Sequence, residues 1–268
     1  MTDKANAQRA ARNESKRNQV QAMRDRRRIT EGPVPSGIVR IYAPKDMAGT
    51  MHPQTLKVWS GMDGEPILKD GAFNSKIGGD VLVGHLKGAR IYTLALEERA
   101  TCPRSCPIYR GCYGNALHRT RRWAYSPDLL SGLRGEIKAL IHVHRKVLIR
   151  LHVVGDFPTE EYASFWRAML DLHSGLHLFI FTAHRSSTAI GGAVASLAET
   201  GRAWVRHSGQ TGDHGAITLD FPTEKTRIGD MTVCPEQRHA ISEPLRQTHC
   251  GSCGLCWAGN TGIAFIEH

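Results

Sequence analysis

All seven cysteines of the chain stand in two groups. Cys102, Cys106 and Cys112 occur in TCPRSCPIYRGCYG with the spacing C-x3-C-x5-C. Cys234 occurs in VCPE, and Cys250, Cys253 and Cys256 follow as C-x2-C-x2-C in CGSCGLCW. Thiolates at such short intervals are how chains grip zinc or iron–sulfur clusters. The quartet supplies every ligand of a closed site. Its C-x2-C-x2-C run leans towards iron–sulfur, because structural zinc more often joins two well-separated C-x2-C knuckles. His249, beside Cys250, is a substitute ligand. The trio leaves one metal position open, with His118 as the candidate to close it. A single site drawing on both groups is a further arrangement. An odd count in a chain without a secretory leader argues against a disulfide framework.

Two other constellations carry chemistry. Gly155-Asp156 follows an apolar run, and the glycine lets backbone approach a ligand closely. Asp156 suits a general base, a nucleophile or a partner for a ribose or an amine, and equally an acid placed ahead of a helix. Arg119, Arg121 and Arg122 precede Trp123 and Tyr125, a mixture that suits phosphate and base contacts or a solvated helix start.

The elements that must position these residues are read from periodicity. ARIYTLAL (89–96), VLIRLHVV (147–154) and LHLFIFTA (176–183) read as strands, as do RAWVRHSG (202–209), GAITLD (215–220) and DMTVCP (230–235). Ser126-Pro127-Asp128 opens a helix that carries Leu129, Leu133, Ile137, Leu140 and Ile141 inward. Thr159 caps another with Tyr162, Phe165, Trp166 and Met169 on one face, and Ser187–Thr200 reads as a third helix. Strands alternating with helices imply right-handed βαβ units. The fold expected is α/β, an irregular or partial parallel β/α barrel over 38–228. A basic arm and linker (1–37) precedes it, and a cysteine-rich metal subdomain (229–268) follows. In such folds functional groups gather where strands end, which is where the trio, Gly155-Asp156 and His184-Arg185 fall.

The chain has 268 residues and a formal net charge of +10. Much of that excess lies in the first thirty residues, including Arg26, Arg27 and Arg28, which suit either a nucleic-acid arm or a solubilising tail. No apolar run approaches a membrane span, and no apolar leader opens the chain, so a cytoplasmic location without a membrane partner is expected. Oligomeric state is not written in these residues.

The ordered segments TCPRSCPIYRGCY, RLHVVGDFPTEEYASFW, LFIFTAHR, VCPE and CGSCGLCW resemble the phage "gene product 88" domain family over roughly residues 70–260. More distantly the order is similar to radical S-adenosylmethionine enzymes, although their spacing is C-x3-C-x2-C. That resemblance implies an open iron–sulfur cluster on Cys102, Cys106 and Cys112. It also implies S-adenosylmethionine contacts at Gly155 and Asp156, an auxiliary cluster on Cys234, Cys250, Cys253 and Cys256, and a nucleic acid or nucleotide as substrate. If the chain is phage-encoded, it works in the host cytoplasm. Two alternatives stay open. One is a queuine-type base transglycosylase with Asp156 as catalytic residue and zinc on the second group. The other is a zinc-stabilised nucleic-acid-binding protein.

Overall fold

The periodic segments become elements close to these bounds in the computed structural model, which describes residues 41–61, 64–219, 223, 225–242 and 248–266. The expected arm, with Arg26, Arg27 and Arg28, lies outside the described residues. Two short strands come first, β1 (Leu56–Lys57) and β2 (Lys69–Asp70). β3 (Arg90–Leu94) leads into the first cysteine loop, after which β4 (Arg122–Trp123) pairs with β1 in a small parallel ladder. α1 (Pro127–His144) starts where Ser126 accepts the Leu129 amide and proline takes the first helical position. β5 (Val147–Leu151) is followed by α2 (Glu160–Leu172), capped by Thr159 through the Tyr162 amide.

β6 (Leu176–Thr182) and α3 (Ala189–Ser196) come next, and a 3-10 turn over Leu197–Thr200 completes the third helical segment. β7 (Ala203–Ser208), β8 (Gly215–Leu219), β9 (Arg227–Ile228) and β10 (Met231–Val233) follow. The chain then forms α4 (Pro235–Ser242), the single-turn helices α5 (Cys250–Cys253) and α6 (Leu255–Ala258), and β11 (Ile263–Ile266).

Nine strands make one sheet in the order β2-β3-β5-β6-β7-β8-β11-β10-β9. Every pairing from β3 to β10 is parallel, and only the edge strands β2 and β9 run antiparallel to their neighbours. The protein is therefore α/β with a mostly parallel sheet, and β2 and β9 are the two ends of the strand order. β11 was not foreseen. It inserts between β8 and β10, so the segment expected to stand apart over 229–268 gives β10 and β11 to the main sheet.

Alternation along the strands divides the two faces. Val147, Ile149 and Leu151 of β5 and Leu176, Leu178 and Ile180 of β6 pack with Leu133, Ile137, Trp166 and Val194 of the three helices. Leu148 and Phe179 point the other way, against Ile77, Val81, Leu86 and Trp257. The helices thus all cover one face. The opposite face also receives Arg150 and Phe181, one alternation step further along β5 and β6.

The helix-side core holds one titratable group that bears on stability. His152 is buried beside Phe157 and Tyr162, with Nε2 2.9 Å from the Tyr162 hydroxyl and Nδ1 without a partner. Burial pulls its pKa from 6.5 down to about 3, so between those values only the unfolded chain takes up the proton. Stability should fall as pH drops through this window, by up to about 1.4 kcal/mol per pH unit. Urea midpoints measured from pH 7.5 to pH 4 should show that slope, and a His152→Asn variant, weaker at neutral pH, should flatten it.

Candidate functional site

The trio stands on the loop that leaves β3 at the C-terminal edge of the sheet. Tight turns shape it, with the Cys106 amide on the Pro103 carbonyl at 3.0 Å and the Tyr109 amide on the Cys106 carbonyl at 3.0 Å. Cys112 caps a short 3-10 helix (Tyr113–Ala116), its sulfur accepting the Gly114 amide at 3.4 Å. The loop reaches across the rim as far as the end of β7. A Cβ on Gly209 would lie 2.5 Å from Pro107 Cγ, and Gly209 has φ +78°, so both contact and conformation favour glycine there. Burial pushes all three thiols up, Cys106 to about 11. Lesser upward contributions come from one another, and for Cys102 and Cys106 from Asp156. The trio and Asp156 therefore share one electrostatic neighbourhood.

Under this loop lies a buried ionic network. Glu98 takes Arg122 Nε at 2.6 Å and the Thr50 hydroxyl at 2.8 Å, and Arg99 approaches it at 3.5 Å. Arg122 also donates to Thr55 Oγ1 and to the carbonyls of Gly114, Leu117 and Thr120. Arg99 donates to the Gly49 carbonyl at 2.6 Å and to Asn115 Oδ1 at 2.8 Å. Arg122 is 0% exposed, which corrects its assignment as a nucleic-acid contact: its charge is spent inside the protein. Arg121 lies over the Trp123 ring, pairs with Glu65 at 2.9 Å and donates to the Pro66 carbonyl. Of the three arginines only Arg119 is exposed.

Gly155-Asp156 locks the rim together. A Cβ on Gly155, which has φ +86°, would fall 2.7 Å from Leu96 Cβ and 2.9 Å from Thr101 Oγ1. The Thr101 hydroxyl accepts the Asp156 amide at 3.0 Å and donates to the Glu97 carbonyl at 2.8 Å. Asp156 Oδ1 accepts from the Phe157 amide and the Thr182 hydroxyl, both at 2.8 Å, and Oδ2 accepts from the Ala183 amide at 2.7 Å. Burial raises its pKa, opposed by His184 and these hydrogen bonds. The expected role as general base or nucleophile is corrected on this geometry. The carboxylate is turned into the protein and joins the segment after β5 to the end of β6, while the Asp156 amide ties to Thr101 after β3. Thr101 and Thr182 were not singled out from sequence, because nothing in their spacing marks a hydroxyl that will meet Asp156 from a neighbouring strand.

The quartet lies on the sheet face away from the helices, where Cys250 and Cys256 pack against Leu148, Phe179 and Trp257. Backbone pairing holds its loop, with the Cys250 amide on the Lys76 carbonyl at 2.8 Å and the Gly251 amide on the Ile77 carbonyl at 3.0 Å. Cys234 joins from the end of β10, its amide on the Ala264 carbonyl at 2.8 Å. His249, weighed as a ligand, spends Nδ1 on the Ser252 amide as the cap of α5. His118, weighed as the trio's fourth ligand, is exposed, with Nδ1 3.2 Å from the Ala116 carbonyl. All four thiols line one cavity of about 20 Å³ together with Glu236, Leu255, Trp257 and Ile263. Burial pushes Cys250 up to about 12 and raises Cys256 well above the ordinary thiol value.

One cation clamps this loop. Arg206 is 1% exposed and donates to the carbonyls of Leu255 (3.0 Å), Cys256 (3.2 Å), Gly259 (3.0 Å) and Thr261 (2.6 Å). No carboxylate pairs with it among the described residues. Among those residues, too, no three His, Cys, Asp or Glu side chains converge on a point that would hold a metal ion. A lone tetrahedral zinc needs its thiolates within about 4 Å of each other, given Zn–S near 2.3 Å. A cluster binds each thiolate to a different iron and needs a wider enclosure. As they stand, the thiols line one cavity without converging on an ion. Their chemistry, all-thiol ligands beside a buried cation, suits either anionic centre.

Arg206→Met should leave four carbonyls without their donor and cost about 3 kcal/mol or more. Urea unfolding should show the loss. Maleimide labelling should then reach Cys253 and Cys256 sooner, while Cys102, Cys106 and Cys112 keep their rates. Equal acceleration at both groups would mean that the clamp is not local.

Comparison of the chain with family models, with curated proteins and with solved structures finds no match in any of the three.

Proposed function

We propose that the chain is an iron–sulfur protein with the layout of a radical S-adenosylmethionine enzyme, built on an open, barrel-like α/β sheet. The observation that carries this reading is the buried positive charge beside both cysteine groups. Arg99 and Arg122 lie against Glu98 below the trio, and Arg206 stands by the quartet without an ion-pair partner among the described residues. A buried cation is costly unless an anion balances it. Thiolate-bound clusters supply that negative charge at both places.

In this reading Cys102, Cys106 and Cys112 hold a cluster with one open position, and Cys234, Cys250, Cys253 and Cys256 hold a closed one. A bound cluster supplies one-electron chemistry. The chain's own residues do the placing. Asp156, Thr101 and Thr182 fix the loop against the rim, Glu98 and Arg122 support it from below, and Arg206 holds the carboxy-terminal loop. Contact of Asp156 with S-adenosylmethionine finds no support in a carboxylate whose oxygens are already engaged, so that ligand would have to meet backbone or other side chains. The ordered cysteine motifs also support membership of the phage gene product 88 family. The net charge of +10 and exposed Arg119 support an anionic substrate, a nucleotide or nucleic acid. The small cavity at the quartet favours a second reading there, one structural zinc, since about 20 Å³ is the scale of a single water or ion.

Anaerobic purification followed by iron, sulfide and zinc analysis decides between them. The expected result is a brown protein with about four irons per cysteine group. Changing the trio to serine should remove roughly half the iron and abolish any spectral response to S-adenosylmethionine. A colourless protein with zinc and no iron would overturn the proposal.

A further inference from the structure

The sheet face away from the helices holds a second cation, Arg150, with no ion-pair partner among the described residues. Alternation along β5 puts Arg150 on the same side as Leu148. It stands in register with Thr93 of β3 and Phe179 of β6, and its guanidinium carbon lies 5.7 Å from the centre of the Phe181 ring. Its Nε is shielded from solvent and makes no hydrogen bond. No carboxylate pairs with it among the described residues. Arg206, two strands away on the same face, has all its donors committed to backbone. Arg150 differs in having donors to spare.

Its surroundings lead to the carboxy-terminal cysteine group. Phe181, Cys250 and Cys256 all pack against the buried cluster that contains Leu148 and Phe179, the apolar floor on which Arg150 stands. A guanidinium braced against an aromatic ring, with a buried donor unsatisfied, is set to meet a planar or tetrahedral oxyanion through paired hydrogen bonds. A surface arginine would satisfy the same donors with water.

We propose that Arg150 anchors the anionic group, a carboxylate or a phosphate, of the molecule that binds on this face beside the carboxy-terminal cysteine group. This deepens the proposed function and rests on it only in taking this face as the place of chemistry. Arg150 is a binding residue in this scheme. Its Nε makes no hydrogen bond to the thiols or to any other described group.

The test is calorimetric titration of the anaerobically purified full chain with inorganic phosphate, acetate and adenosine monophosphate. Wild type, Arg150→Lys and Arg150→Met are compared, with melting temperature and metal content recorded for each. Wild type should bind at least one probe at a single site. R150M should weaken it tenfold or more at unchanged melting temperature. R150K, which keeps the charge and loses the fork, should also weaken it several-fold. A preference for acetate marks a carboxylate ligand, whereas binding of phosphate and the mononucleotide marks a nucleotide or nucleic acid. The proposal is overturned if no probe binds the wild type, or if R150M or R150K binds as the wild type does. The two readings fail separately. Anion binding that depends on Arg150 in an iron-free protein would sink the iron–sulfur reading alone, and iron-loaded protein without such binding would sink the anchor alone.

Discussion

Positive charge held in the interior is the constraint from which the rest of this structure follows. Glu98 is wholly buried and faces two guanidiniums, those of Arg99 and Arg122. Arg206 is as deeply buried and faces only carbonyl oxygens. Carbonyl dipoles solvate a cation but do not cancel its charge, and the desolvation cost of an ion inside a protein is several kcal/mol. Asp156 adds negative charge near the trio, and Glu236 lines the cavity of the quartet. The cysteines are the other groups at hand. As neutral thiols, which burial favours at both groups, they add none. As metal-bound thiolates, in the proposed reading, they would.

The same logic explains where the cysteine groups sit. Helices α1, α2 and α3 all cover one face of the sheet, where burial is almost wholly apolar. The other face keeps its polar strand residues, Thr93, Arg150 and Arg206, and receives the quartet. A sheet with both faces covered by helices would have had to replace those residues with aliphatic ones. The trio enters from the edge, held by Thr101, Gly155 and Asp156. Each of those contacts joins a segment after one strand to a segment after another, so the loop is fixed by the sheet rather than by its own sequence.

Much of this could be read from the residues. Ser126-Pro127 and Thr159 start helices where cap chemistry says they should, and FIF in β6 is a strand buried on both sides. β11 was missed because IAFI is four residues long and follows a glycine-rich turn, without the length that made its neighbours visible. Only tertiary pairing with β8 and β10 makes it a strand. Arg122 was misread for a related reason. In HRTRRW it looks like one of a basic run, and local sequence carries no sign of Glu98, which meets it from the other end of the cysteine loop. Asp156 was placed correctly on the rim, but its role depends on Thr182 and the Ala183 amide, which arrive from β6. Identity and spacing reveal ligand sets, because these are local. They do not reveal whether a charge is spent inside the fold.

That distinction bears on how the basic character of the chain is to be understood. A net charge of +10 invites a polyanion, yet part of it belongs to arginines that never meet solvent. Arg99, Arg122 and Arg206 contribute to the formal sum and nothing to a surface potential that a nucleic acid would feel. If the two cysteine groups carry anionic centres, that interior charge is cancelled where it stands. The cations left to act on a ligand are then the exposed ones, such as Arg119, and Arg150, whose Nε makes no hydrogen bond. Recognition in this protein is thus a matter of a few placed guanidiniums, and total charge overstates it.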